Sequence, residues 1–180
     1  MSEFGVREAN GEDLSFLRAM LLEAAYWRPG DRPADLDLAL SRPDLVYLLA
    51  DYGRSGDVGV VAEQGERPLG AAWFRTWTPD LHSYGFVDEA TPELAIGVQS
   101  EWRGRGVGAA LLSRLLELAN RRGIGRVSLS VELDNPARRL YERVGFEPYE
   151  EADGAITMVA ECGEAMAESG RRSVDIEQIE

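Results

Sequence analysis

The sequence contains no lysine. All 19 of its basic residues are arginines, and they are outnumbered by 32 aspartates and glutamates. The resulting net charge of −13 argues against nucleic acid as a partner, because binding a phosphate backbone requires a basic surface. An acidic surface could attract a cationic amine, although a charged surface that keeps the protein in solution is the plainer interpretation.

Cysteine and histidine are nearly as scarce, with one residue of each, Cys162 and His82. A single cysteine excludes an internal disulfide, and the two residues together form no cluster at zinc-ligand spacing. A metal site and a Cys/His nucleophile pair are therefore not expected. We interpret His82 as a surface residue of a polar loop, and Cys162 as an unreactive thiol.

Long apolar runs are also absent. No stretch approaches the roughly 20 apolar residues needed to cross a bilayer, and the sequence near Met1 lacks the pattern of a signal peptide. We therefore expect no membrane association and a cytoplasmic location. The length and the 44% apolar fraction predict one domain over residues 1–162. For the acidic tail over residues 163–180, a short helix and disorder both stay open.

Hydrophobic periodicity predicts an alternation of strands and helices along this domain. Predicted strands lie at residues 4–8, 58–64, 69–77, 93–98, 126–131, 146–151 and 155–161. Predicted helices lie at residues 13–27, at 34–50 with a break at Pro43, at 107–122, and from Asn135 as N-cap and Pro136 as first helical residue to about residue 144. The central strand, helix and strand favour a parallel crossover unit.

A glycine-rich loop joins the strand at residues 93–98 to the strongly amphipathic helix after it. The loop reads Arg103-Gly104-Arg105-Gly106-Val107-Gly108. Glycines let backbone amides approach an anion closely, the helix N-terminus adds partial positive charge, and two arginines can face phosphate oxygens. The loop lacks the Lys-Ser/Thr ending of nucleotide hydrolases, so we interpret it as a pyrophosphate site of another class.

Two blocks of sequence carry a family resemblance. Residues 98–108, Val-Gln-Ser-Glu-Trp-Arg-Gly-Arg-Gly-Val-Gly, resemble the acetyl-CoA signature of the GNAT N-acetyltransferases. Residues 135–146, Asn-Pro-Ala-Arg-Arg-Leu-Tyr-Glu-Arg-Val-Gly-Phe, are similar to the family's Asn-x-x-Ala…Tyr…Gly-Phe segment at the expected distance downstream. The resemblance covers roughly residues 93–146.

The resemblance implies an α/β fold with a twisted, mostly antiparallel mixed sheet of about six to seven strands, flanked by helices. The fourth and fifth strands would be parallel and splayed, with acetyl-CoA bound as acyl donor in the gap between them. The implied cofactor-binding residues are Ile96, Gly97 and Val98 at the pantetheine arm, Arg103, Gly104, Arg105, Gly106, Val107 and Gly108 at the pyrophosphate, and Asn135 near the arm. A simple helix cap stays open as the role of Asn135.

The resemblance also implies the chemistry, in which a neutral primary amine attacks the thioester directly in a ternary complex. Tyr141 matches the family's general acid, and Glu93 stands where several members carry a glutamate base. A packing tyrosine and an exposed strand-end carboxylate stay open as alternatives. If Glu93 is the base, its replacement should slow turnover most at low pH, where the amine most needs help losing its proton.

The acceptor is a small-molecule or peptide amine that no motif identifies. Longer acyl groups, a non-catalytic acyl-CoA sensor, a nucleotide-binding protein and a homodimer also stay open. Four aromatic residues could line an acceptor pocket, but packing is the plainer interpretation of Tyr26, Trp27, Trp77 and Tyr84.

Overall fold

Seven strands form one sheet in the computed structural model, which describes residues 4–163. The strands are β1 (Gly5–Glu8), β2 (Val58–Gln64), β3 (Arg67–Arg75), β4 (Glu93–Val98), β5 (Arg126–Glu132), β6 (Glu147–Ala152) and β7 (Ala155–Glu161). The helices are α1 (Leu14–Ala25), α2 (Leu36–Leu40), α3 (Pro43–Val46), α4 (Val107–Arg121) and α5 (Arg138–Val144), with short 3₁₀ turns at Gly11–Asp13 and Ser100–Trp102.

The strands lie in the order β1-β2-β3-β4-β5-β7-β6. Every neighbouring pair is antiparallel except β4 and β5, which are parallel. This confirms the predicted mixed sheet and the parallel crossover through α4, and β2 and β3 form a hairpin.

Strands β4 and β5 separate almost as soon as they meet. They share one register pair, Glu93 with Ser128, and the Ser128 amide donates to the Pro92 carbonyl at 2.9 Å. By contrast, β3 and β4 stay paired along all six residues of β4. The parallel pair is therefore splayed, as the resemblance implied, and its gap opens from Glu93 onward.

One helix covers each face of the sheet at this gap. Helix α4 buries a row of leucines against one face, with Leu111 and Leu112 fully buried. Helix α1 packs Leu17, Met20 and Leu21 against the other face. Burying a leucine side chain contributes roughly 1.5–3 kcal/mol, so the two helices stabilise the sheet from both sides.

The helical stretch predicted at residues 34–50 is shorter than expected. It forms α2 and α3, two short helices separated at the predicted break, with Pro43 as the first residue of α3. The Asp35 carboxylate accepts from the Leu38 amide at 2.9 Å and so caps α2, whereas proline suits a helix start because it has no amide to leave unpaired.

The start of the last helix also needs correction. Helix α5 begins at Arg138, so Pro136 is not its first residue. The Asn135 side chain accepts from the Ala137 amide at 2.9 Å and closes the turn that precedes the helix. Gly145 ends α5 in a left-handed conformation, as expected. Of the acidic tail, residues 164–180 lie outside the described residues.

Candidate active site

The glycine-rich loop ends at an uncapped helix N-terminus. Gly104 and Gly106 have φ values of 71° and 86°, in the left-handed region that favours glycine. Gly106 is the N-cap residue of the 15-residue helix α4 and makes no side-chain cap bond. Apart from the chain neighbours of each glycine, no heavy atom of residues 4–163 lies within 4 Å of the position that a Cβ would take there. The first amides of α4 therefore have no side-chain cap, and such a helix start is suited to an anion.

The two arginines of the loop have different surroundings. Arg103 donates from Nε to the Val98 carbonyl at 3.1 Å and from Nη2 to the Glu23 carboxylate at 2.8 Å. Arg105 makes no ion pair within residues 4–163, and its guanidinium carbon lies 5.1 Å from the centre of the Trp102 ring. An anion at the loop meets Arg105 directly but must compete with Glu23 for Arg103.

The alternation of backbone groups along β4 shows which of them face the gap. The Gln99 amide donates to the Leu69 carbonyl at 2.9 Å and so points toward β3. Neighbouring residues of a strand direct their backbone groups to opposite sides, which turns those of Ile96 and Val98 toward β5. Their amides therefore line the gap, while Gly97 points its backbone groups toward β3.

Gly97 and Gly108 are sites of close packing. A Cβ at Gly97 would lie 2.1 Å from the Met20 carbonyl oxygen, so only glycine lets α1 approach β4 this closely. A Cβ at Gly108 would lie 2.8 Å from a methyl carbon of Leu140, a flexible side chain. Close packing against α1 therefore explains why position 97 is glycine. Direct contact of Gly97 with a cofactor stays a prediction.

Glu93 lies where the gap begins, and it is buried rather than exposed, with 4% of its surface accessible. Its Oε1 accepts from the Gly85 amide at 2.9 Å, while its Oε2 has no hydrogen-bond partner in the described part of the chain. Burial raises the pKa of Glu93 to about 7, because it disfavours the charged form more than nearby donors favour it. The carboxyl group therefore titrates near neutral pH.

Two further polar atoms near Glu93 are buried without a partner among residues 4–163. They are the Trp77 indole nitrogen and the hydroxyl oxygen of Ser128, which pairs with Glu93 across the parallel strands. Unsatisfied buried groups are costly and concentrate at functional sites. The start of the gap is thus a cluster of buried polar side chains.

Tyr141 lies on α5, with 8% of its surface accessible. Its ring meets Phe146 edge-on, with ring centres 6.0 Å apart. Burial raises the pKa of Tyr141 to about 12, so the phenol keeps its proton at neutral pH. Asn135, in the turn before α5, uses its side-chain oxygen for the Ala137 amide.

His82 and Cys162 agree with their sequence interpretation. His82 is exposed and its ring stacks on Phe86, with ring centres 4.6 Å apart. Burial raises the pKa of the Cys162 thiol to about 11, which disfavours the thiolate that a nucleophile needs. Within residues 4–163, no group of three or more metal-binding side chains occurs, and no helix is long and apolar enough to span a membrane.

Sequence reasoning did not find the contacts that surround Glu93 and Arg103. Gly85 and Glu23 lie outside both motifs, and they reach Glu93 and Arg103 through tertiary hydrogen bonds. The one available signal was a glycine within the aperiodic stretch at residues 78–92.

The model of the acetyltransferase (GNAT) family matches residues 19–146, which include the C-terminal half of α1, the splayed strands, the glycine loop and α5. The chain belongs to the GNAT family.

Individual relatives agree with this membership. A mycothiol acetyltransferase of Beutenbergia cavernae is 48% identical over 132 residues, which cover 72% of this chain and 35% of the relative. The chain spans 32–41% of the length of three mycothiol acetyltransferases that it matches.

Solved structures share the fold. The PaiA N-acetyltransferase of Thermoplasma acidophilum, in complex with coenzyme A, has a TM-score of 0.66 at 15% identity, covering 88% of this chain and 99% of that one. A Salmonella typhimurium acetyltransferase with its cofactor acetyl-CoA has a TM-score of 0.62 at 24% identity, covering 89% and 95%. The splayed GNAT sheet is therefore shared with proteins that bind these cofactors.

Proposed function

We propose that this GNAT domain transfers an acetyl group from acetyl-CoA to a primary amine by direct attack, with Glu93 as base and Tyr141 as acid. The observation that carries the proposal is a buried carboxyl group with a pKa of about 7 at the start of the gap between β4 and β5. A base is most effective when its pKa lies near the working pH.

The residues around the gap fit acetyl-CoA. The amides of Ile96 and Val98 suit the amide-containing pantetheine arm, and the uncapped amides of α4 with Arg105 suit the pyrophosphate. Asn135, next to α5, is the proposed further contact to the arm. Acetyl-CoA would supply an activated thioester, and residues of the protein would accept the proton of the amine and stabilise the departing thiolate.

Glu93 would accept the proton of the attacking amine, directly or through water. Because Oε1 is already held by the Gly85 amide, Oε2 is the atom available for that proton. A carboxyl group with a pKa of about 7 is ionised in a substantial fraction of molecules at neutral pH, so it can take up the proton and release it again.

Tyr141 would donate a hydrogen bond to the departing thiolate. Since a thiol has a reference pKa of about 8.5 and burial raises the pKa of Tyr141 to about 12, complete proton transfer is uphill. Stabilisation of the developing charge by the phenol hydroxyl is the role that these values favour.

A panel of amines tests the proposed reaction. Incubation with acetyl-CoA and a reactive amine should release one thiol for each acetylated amine. With acetyl-CoA alone, the intact mass of the protein should not change, because direct attack forms no acetyl-enzyme. The panel includes small-molecule and peptide amines, and longer acyl-CoAs serve as alternative donors. Thermal stabilisation by acetyl-CoA without thiol release from any amine would instead support the sensor alternative.

The Tyr141→Phe variant should fold and bind acetyl-CoA normally but turn over more slowly. General acid–base help is typically worth about 10²–10⁴-fold, and we expect about 10²-fold because a thiolate is a tolerable leaving group. The measurement is kcat at saturating acetyl-CoA, with the chemical step shown to be rate-limiting. Tyr149→Phe, an exposed tyrosine on β6, is the matched control and should leave kcat unchanged. Equal kcat for Tyr141→Phe and the parent would exclude any role of the Tyr141 hydroxyl in the chemical step.

A further inference from the structure

The loop between β3 and β4 lies against the backbone of β5 at Gly85. A Cβ at this glycine would lie 2.8 Å from the Leu129 carbonyl carbon and 2.9 Å from the Ser130 amide nitrogen. Both neighbours are backbone atoms of a central strand, so they cannot move aside cheaply. A side chain at position 85 would therefore push the loop away from β5.

The same approach brings the Gly85 amide to Glu93. This amide donates to Glu93 Oε1 at 2.9 Å, and a Cβ at Gly85 would also lie 2.9 Å from that oxygen. The bond is buried, and it is the one hydrogen bond that the described residues make to this carboxylate. The absence of a side chain at Gly85 is thus what permits it.

Two side chains of the same loop also approach Glu93. The Ser83 hydroxyl and the Trp77 indole both lie close enough to favour the ionised carboxylate, after the larger contribution of the Gly85 amide. The Trp77 nitrogen is buried and has no hydrogen-bond partner among residues 4–163, like Glu93 Oε2. One backbone donor of this loop therefore bonds the buried carboxyl group, and the Ser83 hydroxyl and the Trp77 indole lie near it without a hydrogen bond to it among residues 4–163.

We propose that Gly85, Ser83 and Trp77 are positioning residues that hold the Glu93 carboxylate at the start of the gap and set how readily it takes a proton. The proposal rests on the proposed role of Glu93 as base. Donors to a carboxylate favour its charged form, so this loop keeps a deeply buried carboxyl group ionisable.

Two other charged side chains near Glu93 are those of His82 and Arg75. His82, from the same loop, contributes a weak attraction when it is protonated. Arg75 lies opposite Glu93 on β3, but its guanidinium is bound by the Asp57 carboxylate, with Nη2 and Oδ2 at 2.6 Å. The loop donors are therefore the groups whose removal should change the Glu93 pKa.

The Glu93 pKa is measured directly in protein labelled with ¹³C-glutamate, where the carboxyl resonance that disappears in Glu93→Gln is assigned to Glu93. Gly85→Ala should raise this pKa by about one unit, a tenfold change in proton affinity, because the loop shifts and the hydrogen bond weakens. Ser83→Ala and Trp77→Phe should raise it by progressively less. In each variant, the acidic limb of the pH–rate profile should move by the same amount.

Trp73→Phe is the matched control. Its buried indole donates to the Leu48 carbonyl at 3.0 Å, so this variant should lose stability while the Glu93 resonance titrates as in the parent. If Gly85→Ala does not fold, Ser83→Ala and Trp77→Phe still decide the proposal. An unchanged Glu93 pKa in those two variants would overturn it. A raised pKa with an unmoved pH–rate profile would show instead that the loop positions Glu93 but that Glu93 is not the base.

Discussion

Gly106→Glu is expected to abolish acetyl-CoA binding by the folded protein. Gly106 is the N-cap residue of α4, and the space beside it is open, so a glutamate would place its carboxylate among the uncapped amides. That carboxylate would satisfy the amides and repel the pyrophosphate. Placing like charges together costs several kcal/mol, so we expect at least ~100-fold weaker binding, measured by calorimetry and by loss of the thermal shift.

Two controls separate charge from backbone strain. Gly106→Ala strains the same left-handed residue without adding charge and should weaken binding much less. Gly154→Glu makes the same substitution in the β6–β7 turn, where φ is 79° and the surrounding space is equally open, and should bind like the parent. If folded Gly106→Glu kept the parent's affinity, the pyrophosphate would not bind at this loop.

Local patterns were enough to predict the elements that form the cofactor side of the site. The leucine periodicity before Gly123 predicted α4, and the alternation through Ile96 and Val98 predicted β4. These patterns work because one face of each element is buried, which fixes its period. The splay of β4 and β5 was predicted from the family resemblance alone. The local sequence of the two strands does not indicate how far along their length they stay paired.

The chemical state of the site could not be predicted from the sequence. Glu93 is the first residue of β4, and from the sequence its carboxylate could have been exposed. In the structure the carboxylate is buried, and the Gly85 amide of the β3–β4 loop donates to it. Arg103 looked like a free phosphate ligand, yet Glu23 holds it from α1. Such contacts depend on how distant segments pack, and no periodicity or spacing records them. Position 97 is a further example, because it must be glycine only where the Met20 backbone of α1 packs against it.

Glu93→Gln is expected to lower kcat/KM by about 10²–10⁴-fold above pH 7. From the sequence we expected the largest loss of turnover at low pH. The burial of Glu93 instead predicts the largest loss above pH 7. Because the Glu93 pKa is about 7, the parent's own base is increasingly protonated below that pH, and the two proteins should converge there. Above pH 7 the parent has an ionised base and the variant has none. The acidic limb of the parent's pH–rate profile should therefore be missing from the variant.

The same substitution should stabilise the fold at high pH. In the unfolded chain a glutamate titrates near pH 4.3, whereas folded Glu93 titrates near pH 7, so the folded state binds the extra proton and parent stability falls as pH rises between these values. The glutamine of the variant has no charge to bury and escapes this loss, which is on the order of 3 kcal/mol. Chemical denaturation at pH 4 and pH 8 should show the variant gaining relative stability. If the stabilities of the parent and the variant changed with pH in the same way, Glu93 would not titrate near neutral pH. If the variant gained stability but kept the turnover of the parent, Glu93 would have a structural role alone.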